Sequence, residues 1–169
     1  LDMLAQLHEE RYPVHGLLIG DMGGGVFEQR CRTLPFLTFT GFRNDPPRLL
    51  SGTDIFVQPS LSEGMPRTLI EALMHSIPSV VTHVGGMPEI IEDGVSGLIV
   101  PPADSAALTH AVRTLLSDTA LRSRLATGGN TRVRTAFAHT KMVDATEVLY
   151  QQVASAVPAR ATNQLVANI

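Results

Sequence analysis

Cysteine is almost absent. A single residue, Cys31, stands in 169, so no intramolecular disulfide can staple the fold, and stability has to come from a packed core. Cys31 has no sequence neighbour that would make it a nucleophile and reads as a plain thiol on a helix face. Tryptophan is missing and aromatic residues make up 5%, which argues against a surface that stacks sugar rings. Charge of one sign is also lacking. The formal net charge is −3, with no basic stripe of the kind nucleic acid requires. No window approaches about 18 uninterrupted apolar residues, so no membrane span is expected and no membrane association is visible. The sequence shows no leader pattern, and with the lone cysteine this fits a cytoplasmic protein.

What is present is a globular composition, 44% hydrophobic and 17% charged, in a length that suits one domain with a real core. Short apolar runs alternate with amphipathic segments. Strands are expected over 14–19, 36–40, 55–57, 79–82 and 98–100. Helices are expected over 2–11, 26–33, from Pro46-Pro47 onward, 66–75, 88–92, after Asp104 or Ser105, 118–126 and 140–156. Leu108, Ala111, Val112, Leu115 and Leu116 follow the i, i+3, i+4, i+7, i+8 spacing of one helix face. Such alternation implies an α/β fold, a Rossmann-like doubly wound parallel sheet covered on both faces. Ligands of such sheets bind beyond the carboxyl ends of the strands, here the loops 20–25, 41–45, 59–66 and 83–89. The domain is expected to span 1–157, with a small polar tail over 158–169.

The densest chemical signal is Pro59-Ser60-Leu61-Ser62-Glu63-Gly64-Met65-Pro66-Arg67-Thr68-Leu69-Ile70-Glu71-Ala72, on a strand-to-loop-to-helix transition. A carboxylate accepts hydrogen bonds from vicinal hydroxyls well. Glu63 in the loop and Glu71 in the helix can grip two hydroxyl pairs, and the helix N-terminus between them offers free amides and a positive dipole end. Hydroxyls, anion, hydroxyls is the polarity of a sugar–diphosphate–ribose. The plain alternative is that Glu63 and its serine neighbours cap the helix and Glu71 is a surface glutamate. Elsewhere, Gly20 to Gly25 lacks the Gly-Lys-Ser/Thr of a P-loop and the third spaced glycine of a dinucleotide fingerprint. None of the six histidines shows a close metal-ligand spacing. His83 stands out only by following a strand end. Arg122, Arg124, Arg132 and Arg134 read as a solvated face.

The Glu-x7-Glu segment resembles the signature of the family 4 glycosyltransferases, which have the GT-B fold. The resemblance runs on through Pro78–Thr82, Val84–Gly94 and Gly97–Pro102. Upstream it includes Ile19-Gly20-Asp21, Phe39–Phe42 and Asp54–Ser60, so that it covers roughly residues 2–150. It implies a retaining transfer of sugar from a nucleoside diphosphate sugar to an acceptor, with no bound metal or other cofactor. It implies that Glu63 is the catalytic-site carboxylate on the donor sugar and that Glu71 binds the ribose. Backbone at Gly64, Met65, Arg67 and Thr68 would meet sugar and phosphates. Gly41, Phe42 and Arg43 would lie near the base, and Gly85, Gly86 and Glu89 would line the cleft.

Three departures stand against this pattern. Pro66 replaces a common glycine and removes one amide donor. Ser76 stands where a glycine ends the helix, so it must strain or the turn must differ. The family's first strand of this domain, with an arginine and a lysine that clamp the diphosphate, is missing, as is the acceptor-binding N-terminal domain. A chain shortened at its N-terminus is therefore expected, with a sheet left gapped or with two unpaired edges, unless strands 14–19 and 54–58 pair directly. A non-catalytic nucleotide or nucleotide-sugar module remains an alternative. So does another doubly wound protein, such as an epimerase half or a signalling receiver, although Asp21 with Asp54 makes a poor receiver cluster.

Overall fold

A computed structural model describes residues 1–21 and 25–156. The tail expected over 158–169, and Met22 to Gly24 of the glycine-rich loop, lie outside the described residues. The elements run α1 (Asp2–Glu9), β1 (Gly16–Leu18), α2 (Val26–Thr33), β2 (Leu37–Phe39), α3 (Pro46–Leu50), β3 (Phe56–Gln58), α4 (Arg67–Met74), β4 (Ser79–Thr82), α5 (Met87–Ile90), β5 (Leu98–Val100), α6 (Ser105–Ser117), α7 (Thr119–Ala136) and α8 (His139–Ala156). By contact density Leu1–Val133 form one unit and the chain from Arg134 a second. Among its described residues the second unit is the end of α7 and the helix α8, whose Met142, Leu149, Tyr150 and Val153 are exposed.

Every strand pairing is parallel, but the strands form two sheets. β1 pairs with β2, with Leu17 opposite Thr38, and β3–β4–β5 make the other sheet, with Val57 opposite Val80 and Val81 opposite Ile99. The direct pairing of strands 14–19 and 54–58 does not occur. The Gly16 amide donates to the Phe36 carbonyl and the Thr40 amide to the Leu18 carbonyl. Residues 16 and 18 therefore face β2, and Leu17 turns its backbone groups the other way. The Phe56 amide donates to Pro78, so Val57 likewise turns away from β4. Each of β1 and β3 has one open edge among the described residues. β4, with all four residues buried, is the centre of its sheet.

One helix packs on both sheets. Leu7 of α1 is fully buried with Val80, Val100, Leu108, Val112 and Leu115 of the three-stranded side. Leu1, Leu4 and Ala5 of the same helix pack with Cys31, Phe36 and Leu37 of the two-stranded side. Gly16 leaves room for this approach, since a Cβ there would stand 2.5 Å from Leu4 Cδ1. At the end of α1, Arg113 of α6 grips Glu10 through both Nε and Nη2, 2.9 and 2.6 Å. That hydrogen bond, with the guanidinium charge, holds the Glu10 carboxyl below the usual carboxylate range.

α7 runs ten residues beyond the expected end at 126, through Gly128-Gly129. Both glycines lie inside the helix. A Cβ on Gly128 would stand 2.2 Å from the Val95 carbonyl oxygen, and one on Gly129 2.5 Å from Leu73 Cδ2. The glycines let α7 seat directly on the 95–96 backbone and on α4, and that contact outweighs their poor helix propensity. The next residue, Asn130, donates its amide to the carbonyls of Leu73 and Met74, 3.2 and 2.7 Å, at the C-terminus of α4. Arg132 is not part of a solvated face either, because it donates to the carbonyls of Ile90 and Glu89 at 2.6 and 2.7 Å.

The strain expected at Ser76 is there, at φ 57°. The Ser76 amide reaches Leu73 and the Ile77 amide reaches Ala72, while Ile77 packs on Ala72 and Leu50. This is a Schellman closure with a serine in the left-handed position. Ser76→Gly should stabilise the protein by roughly 1 kcal/mol, read as a higher midpoint in urea unfolding. A second expectation concerns pH. A depressed carboxyl contributes stability above its unfolded pKa and loses it as pH falls through the folded value. Arg113→Met should therefore be less stable than wild type at neutral pH, and the gap should close below the usual glutamate range in melts run against pH.

Candidate functional site

β3 ends in Gln58, the chain turns through Pro59 to Pro66, and α4 begins at Arg67. Pro66 is the N-cap residue, and no side chain caps the helix. The reading in which Glu63 and its serines merely cap α4 therefore fails. Proline at this place costs the helix nothing, since an N-cap amide is not part of the helical ladder. The amides of Arg67, Thr68 and Leu69 make no hydrogen bond among the described residues. The helix is anchored by Leu69, Ala72 and Leu73, all fully buried, at the i, i+3, i+4 spacing of a core face. This leaves Thr68 exposed and Glu71 half-buried.

Glu63 is half-buried, and among the described residues its carboxylate is held on one side. Oε1 accepts from Gln58 Nε2 at 2.8 Å and from Ser60 Oγ at 2.7 Å. Ser60 is fixed in turn, because buried Thr82 at the end of β4 donates to its carbonyl at 2.6 Å. The loop after β4 closes from beneath. Gly86 donates to the Gly64 carbonyl at 2.8 Å, and Met65 Cε would lie 3.3 Å from a Cβ on Gly86. Gly85, at φ 52°, leaves so little room that a Cβ would stand 1.9 Å from the Glu63 carbonyl oxygen. Glu63, Gly64, Met65, Gly85 and Gly86 are thus brought together, with Arg67, Thr68 and Glu71 on the helix that follows.

The other expected residues stand apart. Gly41, at φ 69°, ties β2 to β1 by accepting the Gly20 amide at 3.0 Å. Phe42 is 76% exposed. Arg43 makes a bidentate pair with Asp45, 2.8 and 2.7 Å, which raises the arginine above and lowers the aspartate below their ordinary values. No hydrogen bond links this loop to the 63–71 segment among the described residues. Glu89 is exposed; its amide donates to the Gly86 carbonyl at 3.1 Å, and its carbonyl accepts from Arg132. His83 is exposed at the end of β4. Among the described residues no group of three or more His, Cys, Asp or Glu side chains could hold a metal ion. No helix of the described residues is long and apolar enough to cross a membrane.

Residues 1–118 match the sequence profile of the glycosyl transferases group 1 family. The chain belongs to that family. The alpha-D-kanosaminyltransferase of Streptomyces kanamyceticus is 35% identical over 92 residues, 53% of this chain and 24% of that enzyme. Anabaena HepE, solved in complex with UDP, is 25% identical with a TM-score of 0.76 over 91% of this chain and 44% of its own. The C-terminal domain of a group 1 glycosyl transferase from Francisella tularensis, LpcC, shares the fold at 20% identity and a TM-score of 0.58, over 80% of this chain and 92% of that domain. The chain spans less than half the length of HepE, and its fold is the Rossmann-like half of the GT-B architecture.

The sequence singles out Glu63 and Glu71 but not Gln58, Ser60 and Thr82, which hold Glu63 directly or through one another. The available signal was a polar residue closing each of two apolar strands, Gln58 after Ile55-Phe56-Val57 and Thr82 after Val80-Val81. The tight seat under Glu63 predicts that Gly85→Ala destabilises by roughly 2–4 kcal/mol, from backbone collision and a positive φ together. Denaturant unfolding of the variant checks this.

Proposed function

We propose that this chain is the donor-binding domain of a retaining glycosyltransferase, which moves a sugar from a nucleoside diphosphate sugar to an acceptor. The observation that carries the reading is the arrangement at the start of α4. Among the described residues, three unpaired amides stand in the sequence between two half-buried carboxylates, one of which keeps an oxygen free. Unpaired amides at a helix N-terminus suit a diphosphate, because the N–H groups and the dipole both favour negative charge. Glu63 then meets hydroxyls of the donor sugar and Glu71 those of the ribose, with Gly64, Met65, Arg67 and Thr68 between them. The exposed Phe42, with Gly41 and Arg43, offers a face to the base, and Gly85, Gly86 and Glu89 complete the cleft.

When the bond from the anomeric carbon to the diphosphate breaks, the electron pair leaves with the phosphate oxygen. Donors already aimed at that oxygen stabilise the charge without having to reorganise, so no metal is required in this reading. The acceptor is held by a further domain of a longer protein. The UDP and UDP-glucose complexes of HepE make uridine the first base to try.

Calorimetric titration with UDP, GDP and ADP tests the site. One nucleotide should bind in preference, and Glu71→Ala should weaken it about 10- to 100-fold, the loss of charged hydrogen bonds worth about 1.5–3 kcal/mol. Equal binding of all three by both proteins would refute the site. In the transferase that carries this domain, Glu63→Ala should abolish transfer with little change in melting temperature.

A further inference from the structure

The Glu63 carboxylate is asymmetric. A carboxylate oxygen has two lone pairs, and both of those on Oε1 are taken by donors of this chain, Gln58 Nε2 at 2.8 Å and Ser60 Oγ at 2.7 Å. Oε2 accepts nothing among the described residues. The carboxylate cannot donate, so the amide end of Gln58 that faces it must be the NH2 group, and no flip is chemically open. The other end, Oε1 of Gln58, lies 3.5 Å from the Thr68 hydroxyl, a long contact in the first turn of α4. Gln58 closes β3, Ser60 is tied to β4 through Thr82, and Glu63 is in the loop between them and α4. The hydrogen bonds therefore lead from two strands into one carboxylate oxygen and leave the second oxygen without a partner among the described residues.

We infer that Gln58 is a positioning residue. It occupies one oxygen of Glu63 and fixes the rotation of the carboxylate, so that the other oxygen is presented to a hydroxyl of the donor sugar. This deepens the proposed function and rests on it. An unsupported glutamate would have to freeze its side-chain torsions when the sugar arrives. With Gln58 and Ser60 in place, that ordering is complete before binding. The effect is confined to ligands that carry the sugar. The free nucleotide does not touch Glu63 and is indifferent to Gln58.

The test uses matched pairs, UDP and UDP-glucose first, then the GDP and ADP pairs, titrated calorimetrically into wild type, Glu63→Ala, Gln58→Met and Gln58→Glu. Thermal melts check the fold of each. For the pair that binds, Glu63→Ala should weaken the nucleotide sugar about ten-fold more than the nucleotide. Gln58→Met, of similar volume but without a donor, should weaken the nucleotide sugar about five-fold and the nucleotide less than about two-fold. Gln58→Glu carries a pH signature that loss of packing alone would not give. At about pH 4.5 the two carboxyls can share one proton, which restores a hydrogen bond between them in place of the amide's, and sugar-nucleotide binding relative to wild type is higher than at neutral pH. At about pH 8 two carboxylates face each other, and binding falls to the level of Glu63→Ala.

If Glu63→Ala discriminates between the two ligands but Gln58→Met binds both as wild type does, the positioning role is wrong and the site stands. Equal weakening of both ligands by Gln58→Met, with a flat pH ratio for Gln58→Glu, makes the residue merely structural and also overturns the inference. If no pair binds wild type, or Glu63→Ala changes neither ligand, the site itself is wrong and the inference goes with it.

Discussion

The structure depends on one short helix. Among the described residues the two sheets share no hydrogen bond between strands, yet α1 sends Leu7 into the core of one and Leu1, Leu4 and Ala5 into the core of the other. Burying a leucine of this kind contributes about 2 kcal/mol, and a residue with no exposed surface has no cheap way to relax when cut back. The Glu10–Arg113 pair pins the end of the same helix to α6, which lies under the three-stranded sheet. The geometry beyond the strand ends is inherited from this packing, because each loop leaves a strand whose position the helices set.

α4 divides its labour between its ends. At the C-terminus the carbonyls are taken up by the Schellman closure and by Asn130, and the buried face grips the core through Leu69, Ala72 and Leu73. At the N-terminus three amides are left open among the described residues, and no side chain there closes them. Satisfying one end fully and the other not at all gives a rigid support for an unspent set of donors. A helix frayed at its far end could not hold those amides in fixed positions, nor keep Glu71 at a fixed remove from Glu63.

Much of this was legible in the chain alone. The short apolar runs mark the five strands of the described residues, the spacing from Leu108 to Leu116 marks α6, and Asp104 caps it, accepting the Ala107 amide. These are local signals, and local signals survive folding. The errors lie where a distant partner decides. The reason for Gly128 and Gly129 being in a helix is Val95, Ser96 and Leu73, far away in sequence. Arg132 looks solvated because its acceptors are the last carbonyls of α5. Glu63 and Glu71 stand out through their spacing and the family likeness. Gln58 does not, since a hydrogen bond five residues away across a turn leaves no periodicity to read.

The open edges of β1 and β3 carry a consequence for how the domain behaves alone. Leu17 and Val57 each turn an amide and carbonyl, unpaired among the described residues, away from their own sheet, and Leu17 and Ile19 are 42% and 39% exposed. An unfinished edge is a template that does not ask where its next strand comes from. A segment of the same polypeptide would fill it at the high local concentration of a tether, while a second molecule must compete through dilution. The colloidal state of the isolated domain is accordingly a property of concentration as much as of sequence, with dilute solutions favouring single molecules and crowded ones favouring joined edges.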